Sequence, residues 1–133
     1  MSMIQRVKSL SEKRLIVEVE VNGKAANLLI DTGACVGIMD DNQVKKYGLV
    51  KGMKYAGTLT GIGGEMKGVR VCNTFAYLRG RMIPQFLLAD ISAIVESIEK
   101  ETGIEILGIV SLPQMRMCRL GVDADDMEII VEY

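Results

Sequence analysis

The chain has 133 residues, 49% of them apolar and 25% charged, with a net charge of −1, which describes one folded domain too short for two lobes of ordinary size. No cationic block occurs anywhere, so nucleic acid and anionic membrane surfaces are poor partners, because both require a concentrated basic patch. Histidine is absent; the usual base for a Ser or Cys nucleophile and the commonest zinc ligand are missing, and acid–base chemistry falls to carboxylates, Lys or Tyr.

No stretch reaches the roughly 18 apolar residues of a membrane span, and Met1-Ser2-Met3-Ile4-Gln5-Arg6 has no hydrophobic signal-peptide region. The three cysteines, Cys35, Cys72 and Cys118, cannot all pair within one chain and include no Cys-x-x-Cys arrangement, which fits a reducing compartment. The expected location is the cytoplasm. No cofactor and no metal is expected.

Met1 to Lys13 shows no clear pattern and reads as an N-terminal extension, residues 1–13, ahead of a single domain at 14–133. Arg14 to Val21 alternates, with Leu15, Val17, Val19 and Val21 on one face and Glu18 and Glu20 on the other, the pattern of a half-buried strand. Asn22-Gly23 is the favoured pair for a two-residue hairpin turn, and the chain returns through Lys24 to Ile30. The run Leu28-Leu29-Ile30 has no alternation and predicts a fully buried strand. It ends at Asp31-Thr32-Gly33. An acid there needs a partner or a hydrogen bond; Gly33 permits a tight turn and Thr32 can bond neighbouring backbone, so the loop can hold the Asp31 carboxylate in one orientation. Taken alone, the tripeptide is equally an ordinary exit from strand to turn.

Cys35 to Met39 predicts another strand, and Asp40 or Asp41 caps a short helix, Asn42 to Tyr47, closed by Gly48. Cys35 reads as a small buried residue, since no histidine is present to activate it. Lys51 to Thr60 and Glu65 to Leu78 are extended arms of a long hairpin whose midpoint is Gly61-Ile62-Gly63-Gly64, where bare amides can approach a ligand closely. Arg81 to Ala89 is a further strand with Pro84 marking an edge or bulge. Asp90 or Ser92 opens a helix to about Glu101, its apolar stripe formed by Ile91, Ile94, Val95 and Ile98. Ile104 to Ile109 is a second apolar strand, Ser111 and Pro113 start a short helix over Leu112 to Met117, and Cys118 to Val122 pairs with Met127 to Val131 around an acidic turn, Asp123-Ala124-Asp125-Asp126. That turn lacks the central Gly and closing Glu of a calcium loop and reads as solvated.

Three stretches, Leu29-Ile30-Asp31-Thr32-Gly33-Ala34, Gly61-Ile62-Gly63-Gly64 and Ile106-Leu107-Gly108 before a short helix, occur in an order that resembles the retroviral-type aspartic proteases, the retropepsins. The likeness spans about Arg14 to Tyr133. It implies a mainly β, closed retropepsin-like barrel with one or two short helices. The segment near 91–102 adds a helix that minimal retroviral members lack, so the chain is more similar to the longer cellular and bacterial relatives. The resemblance makes Asp31 the catalytic acid, with Thr32 bracing paired loops across a dimer and Gly33 and Ala34 lining the cleft. Gly61, Ile62, Gly63 and Gly64 become the tip of a flap over an extended peptide. It also implies that the chain ends, including Ile129-Ile130-Val131, interleave with those of a partner.

Hydrolysis by carboxylates needs two acids sharing a proton, and like charges in contact cannot both ionise. One Asp-Thr-Gly per chain therefore predicts a twofold homodimer that places Asp31 against its own mate. The expected function is an aspartic endopeptidase acting on polypeptide. The alternative is a catalytically silent peptide-binding or scaffolding dimer of the same fold; a metal-binding β domain built on the Asp-rich turns has the least support.

Overall fold

The computed structural model describes residues 3–61 and 64–133. Its strands are β1 (Ile4–Lys8), β2 (Ile16–Val21), β3 (Lys24–Asp31), β4 (Gly37–Asp40), β5 (Lys51–Lys54), β6 (Thr60–Gly61) and β7 (Gly64–Glu65). They continue with β8 (Arg70–Cys72), β9 (Ala76–Leu78), β10 (Arg81–Ile83), β11 (Phe86–Ala89), β12 (Gly108–Ser111), β13 (Leu120–Asp123) and β14 (Glu128–Glu132). The helices are α1 (Val44–Tyr47), preceded by one 3-10 turn at Asp41–Gln43, α2 (Ser92–Thr102) and α3 (Leu112–Met117). The chain is mainly β, 44% strand and 19% helix, and its main sheet curls into a half-barrel.

The main sheet runs β10-β9-β2-β3-β12-β4-β11-β8-β5, a smaller one runs β1-β14-β13, and β6 pairs with β7. Asn22 and Gly23 adopt φ of 51° and 79°, the mirror-image turn that matches the twist of β2 and β3. The centre of the main sheet is buried on both faces. Leu28 and Ile30 of β3 enter one core with Val17, Val19, Phe86, Leu88, Val110, Ile129 and Val131. Leu29 enters another with Ile16, Ile38, Leu87, Ile109 and the α2 residues Val95 and Ile98. Every residue of the run before Asp31 therefore contacts apolar neighbours, which explains its lack of alternation. Side chains of this size contribute about 1.5–3 kcal/mol each when fully buried.

β12 inserts between β3, to which it is parallel, and β4, to which it is antiparallel. The crossing demands glycine: a Cβ on Gly108 would lie 2.2 Å from the Ile38 carbonyl oxygen.

Several sequence expectations change. No pattern marks a strand before Arg14, yet Ile4–Lys8 pairs antiparallel with Glu128–Glu132, burying Val7. The strand expected from Cys35 begins at Gly37, and Cys35 is exposed rather than buried. Arg81 to Ala89 is two strands, because Pro84 is followed by Gln85 at φ 68°. The second apolar strand starts at Gly108, and Ile104 to Leu107 approach it outside the ladder. Ile129 and Val131 are fully buried within their own chain, between β1 and β13, so they do not present free edges to a partner. Among the described residues, no helix is long and apolar enough to cross a membrane.

Candidate active site

β3 delivers Asp31 to the rim of the sheet. The Ile30 N–H donates to the Leu15 carbonyl at 2.8 Å, and Ser111 of β12 stands in register beside Asp31. The chain then turns: the Ala34 N–H donates to the Asp31 carbonyl at 3.1 Å, and the Gly33 N–H donates to Asp31 Oδ1 at 2.9 Å. This is the local ring that Asp side chains form with backbone two residues ahead. A Cβ on Gly33 would lie 3.3 Å from Asp31 Oδ1, so the small residue lets the carboxylate fold over its own turn. Asp31 is half-buried, while Thr32 and Gly33 are exposed. Among the described residues, no protein group donates to Asp31 Oδ2.

One further contact fixes this loop, and one ion pair lies near it. The Leu112 N–H donates to the Ala34 carbonyl at 3.2 Å, tying the loop to α3. Arg14 makes a two-pronged ion pair with Glu101 of α2, at 2.9 and 3.0 Å. That pair raises the Arg14 guanidinium above its ordinary range, with the charge of Asp31 a lesser contributor in the same direction. The extra helix α2 thus anchors a cation near the candidate catalytic acid.

The corner between β12 and α3 is a buried polar joint. Ser111 is 1% and Gln114 2% exposed. Gln114 Oε1 accepts from the Ser111 N–H at 2.9 Å and the Ser111 hydroxyl at 3.1 Å, and Gln114 Nε2 donates to the Pro84 carbonyl at 2.8 Å. Gln114 lies so close to β4 that a Cβ on Gly37 would sit 2.0 Å from its Oε1. The Ser-x-x-Gln spacing of a reciprocal helix cap was the signal available for Gln114, which the sequence reading did not single out. Beside this joint is a cavity of about 270 Å³ lined by residues including Cys35, Gly37, Tyr55, Val71, Phe86 and Gln114.

Asp31, Thr32, Gly33 and Ala34 thus share one loop. Gly61 and Gly64 pair across β6 and β7, at the end of a hairpin whose arms, through Tyr55, Leu59 and Met66, pack on the core that holds Leu29. Ile62 and Gly63 lie outside the described residues. Among the described residues, no hydrogen bond joins this hairpin to the Asp31 loop.

Other acids have structural roles. Asp40 accepts from the Asn42 N–H at 3.2 Å, the capping expected of it, whereas Asp90 accepts from the Ser92 N–H at 3.0 Å from one residue ahead of Ile91, the N-cap of α2. The Asn42 amide bridges the two at 2.8 Å each. At the acidic turn, Arg6 pairs with Asp123 and Glu128 at 3.0 and 3.2 Å.

The sequence profile of the aspartyl protease family matches residues 17–123. A retropepsin-like aspartic protease from Rickettsia conorii is similar in structure with a TM-score of 0.60 at 14% identity, covering 100% of this chain and 92% of that one. EIAV protease complexed with the inhibitor HBY-793 is similar at 0.58 with 24% identity, covering 84% and 93%. The retroviral protease-like domain of Ddi1 from Leishmania major is similar at 0.54 with 19% identity, covering 83% and 81%. No curated protein matches the chain significantly. The profile match carries the family, and the structural likenesses carry the fold: the chain belongs to the aspartyl protease family and has a retropepsin-like fold.

Proposed function

We propose that the chain is an aspartic endopeptidase that hydrolyses extended polypeptide as a homodimer, with Asp31 of each subunit supplying half of a catalytic pair. The observation that carries this reading is the state of the Asp31 carboxylate. It is held in place through Oδ1, left without a protein donor at Oδ2 among the described residues, and carried by the one Asp-Thr-Gly of the sequence.

Two such carboxyls in contact retain one proton between them, because both cannot ionise side by side. The ionised member takes a proton from water as its oxygen attacks the scissile carbonyl carbon. The protonated member gives its proton to the carbonyl oxygen. As the resulting diol collapses and the C–N bond breaks, one of its hydroxyls gives a proton to the now ionised member, and the departing nitrogen receives one from the now protonated member. Thr32, exposed beside Asp31, braces the two loops across the dimer. Ala34 lines the cleft, and Gly61 and Gly64 at the end of the β6–β7 hairpin lie over the peptide backbone. The three free thiols fit work in a reducing compartment, the cytoplasm.

The test is a peptide-library digest from acid to neutral pH with wild type and Asp31→Asn, alongside sedimentation of both. The swap keeps shape and removes the shared proton. Wild type is expected to cleave and to sediment as a dimer; the variant is expected to remain folded and dimeric without cleaving. Cleavage by Asp31→Asn, or by a strict monomer, overturns the reading. A wild-type dimer that binds peptide but never cleaves it points to a scaffold instead.

A further inference from the structure

The helix α2 lies between β11 and β12 in the chain, and its last turn meets the start of β2. Three elements converge there on one face of the main sheet. Ile16 of β2, Leu29 of β3 and Ile98 of α2 share one core. Arg14 stands two residues before Ile16 and Asp31 two residues after Leu29, so strand alternation puts both on the face that carries those apolar side chains. Glu101 is three residues on from Ile98, a spacing that keeps two helical residues on the same side.

Register brings Arg14 and Asp31 closer still. Ile16 pairs with Leu29, and the Ile30 N–H donates to the Leu15 carbonyl at 2.8 Å; one further step sets Arg14 across from Asp31. Cross-strand neighbours have Cβ atoms about 4.5–5.5 Å apart, less than the length of an arginine side chain. The backbone at this point is pinned. The buried Ser9 hydroxyl accepts from the Ile16 N–H at 3.0 Å and lies 2.8 Å from the Arg14 carbonyl, so a change of partner falls to the Arg14 side chain alone.

That side chain is committed to Glu101. The Arg14 Nε–H donates to Glu101 Oε1 at 2.9 Å and a terminal N–H to Oε2 at 3.0 Å, the fork that fixes the plane of a guanidinium. Among the described residues, this is the only ion pair Arg14 makes. The charges that bear on the pair are few: Glu101 and then Asp31 act on Arg14, while Arg14 and then Lys13 act on Glu101. Lys13 reaches the Glu101 backbone carbonyl, at 3.1 Å, and leaves the carboxylate to Arg14.

We propose that Glu101 is a positioning residue that keeps Arg14 from closing onto the catalytic carboxylate. This rests on the endopeptidase reading above and adds to it a residue outside the Asp-Thr-Gly loop. Asp31 Oδ2 has no protein donor among the described residues, so it is open to water and equally open to a released guanidinium. An arginine seated there would occupy the oxygen that takes the proton from water. Its charge would also favour ionisation of both carboxyls and remove the single shared proton that the reaction needs. Glu101 supplies the competing carboxylate, on the same face and with better geometry for a two-pronged grip.

The test compares peptide cleavage by wild type, Glu101→Ala, Arg14→Gln and the double variant, with far-UV circular dichroism and sedimentation checking that all share one fold and one oligomeric state. Glu101→Ala is expected to lower kcat about 10-fold or more, the effect of a guanidinium on the proton of a neighbouring carboxyl. Arg14→Gln alone is expected to cleave like wild type. Adding Arg14→Gln to Glu101→Ala is expected to restore the rate, which a merely structural loss at the end of α2 does not do. Glu101→Gln keeps one acceptor and the size of the side chain; it is expected to fall between wild type and Glu101→Ala, and it serves if the alanine variant does not fold. Glu101→Ala cleaving at the wild-type rate, or a double variant as slow as Glu101→Ala, overturns the role of Glu101 while leaving the endopeptidase standing. A wild type that never cleaves removes both.

Discussion

Replacing Gln114 by Ala removes four hydrogen bonds from a side chain that is 2% exposed, the longest of them to the Gln85 carbonyl at 3.5 Å. The Ser111 N–H and the Pro84 carbonyl lose partners at 2.9 and 2.8 Å, and the Ser111 hydroxyl loses one at 3.1 Å. A buried backbone group left unpaired costs about 1–3 kcal/mol, so the two backbone groups alone set a range of about 2–6 kcal/mol. The adjoining cavity of about 270 Å³ admits water that can re-pair some of them, which brings the expected loss to about 2–3 kcal/mol. For a domain of this size, that lowers the melting temperature by about 7–10 °C. Urea unfolding followed by far-UV circular dichroism reads it out, since the chain has no Trp. Gln114→Glu keeps the acceptor but, when ionised, cannot donate to Pro84; its deficit should shrink as pH falls and the carboxyl becomes a donor. Stability of Gln114→Ala within about 0.5 kcal/mol of wild type would refute the assignment of this joint as a determinant of the fold.

Gly108→Ala sets a methyl 2.2 Å from the Ile38 carbonyl oxygen, against backbone that cannot rotate away, and should cost at least about 3 kcal/mol in the same assay; Gly121→Ala, with an ordinary 3.6 Å contact, is the control and should be near neutral. In native protein, only Cys35 should react with a thiol reagent, because burial pushes the Cys72 and Cys118 thiols up and hides them; native labelling at Cys72 would contradict the core packing. Hydrogen bonds hold the Glu101 carboxyl below its usual range, chiefly through Arg14, and those of Asp90 through Ser92 and Asp123 through Asp126 and then Arg6. Their stabilisation is complete above about pH 4.5 and is lost as pH falls through the lowered folded values. Arg14→Gln should flatten that acid limb of a melting-temperature profile. Asp41 runs the other way: burial, then Asp90 and Asp40, raise its carboxyl, so ionisation costs stability as pH rises through that value. Asp41→Asn should therefore melt higher than wild type at pH 7 and lose that advantage at low pH.

Much of this was legible where the information is local. Asn22-Gly23 specifies its own turn, Leu28-Leu29-Ile30 announces burial on both faces, and Ser111 with Pro113 starts α3 where the spacing puts it. Asp31, Thr32 and Gly33 fall on one loop because a strand end and a glycine are both written in four residues. The misses are non-local or steric. β1 reads as featureless because Ile4-Gln5-Arg6-Val7-Lys8 buries only Val7 fully, and its partner lies at the opposite end of the sequence. Gly108 looked like the end of a strand; it begins one, because the crossing of β12 and β4 leaves no room for a side chain. Cys35 looked like a core residue from its type, but the turn after Asp31 ends only at Gly37 and leaves it on the rim.

The pairing of Ile4–Lys8 with Glu128–Glu132 has a kinetic meaning. Contacts between chain segments so far apart close the largest loop in the molecule and carry its greatest ordering entropy. During synthesis, β1 leaves the ribosome well before β14 and waits for it to emerge. The small sheet therefore closes after the centre that carries Asp31, whose strands pair over much shorter stretches of chain.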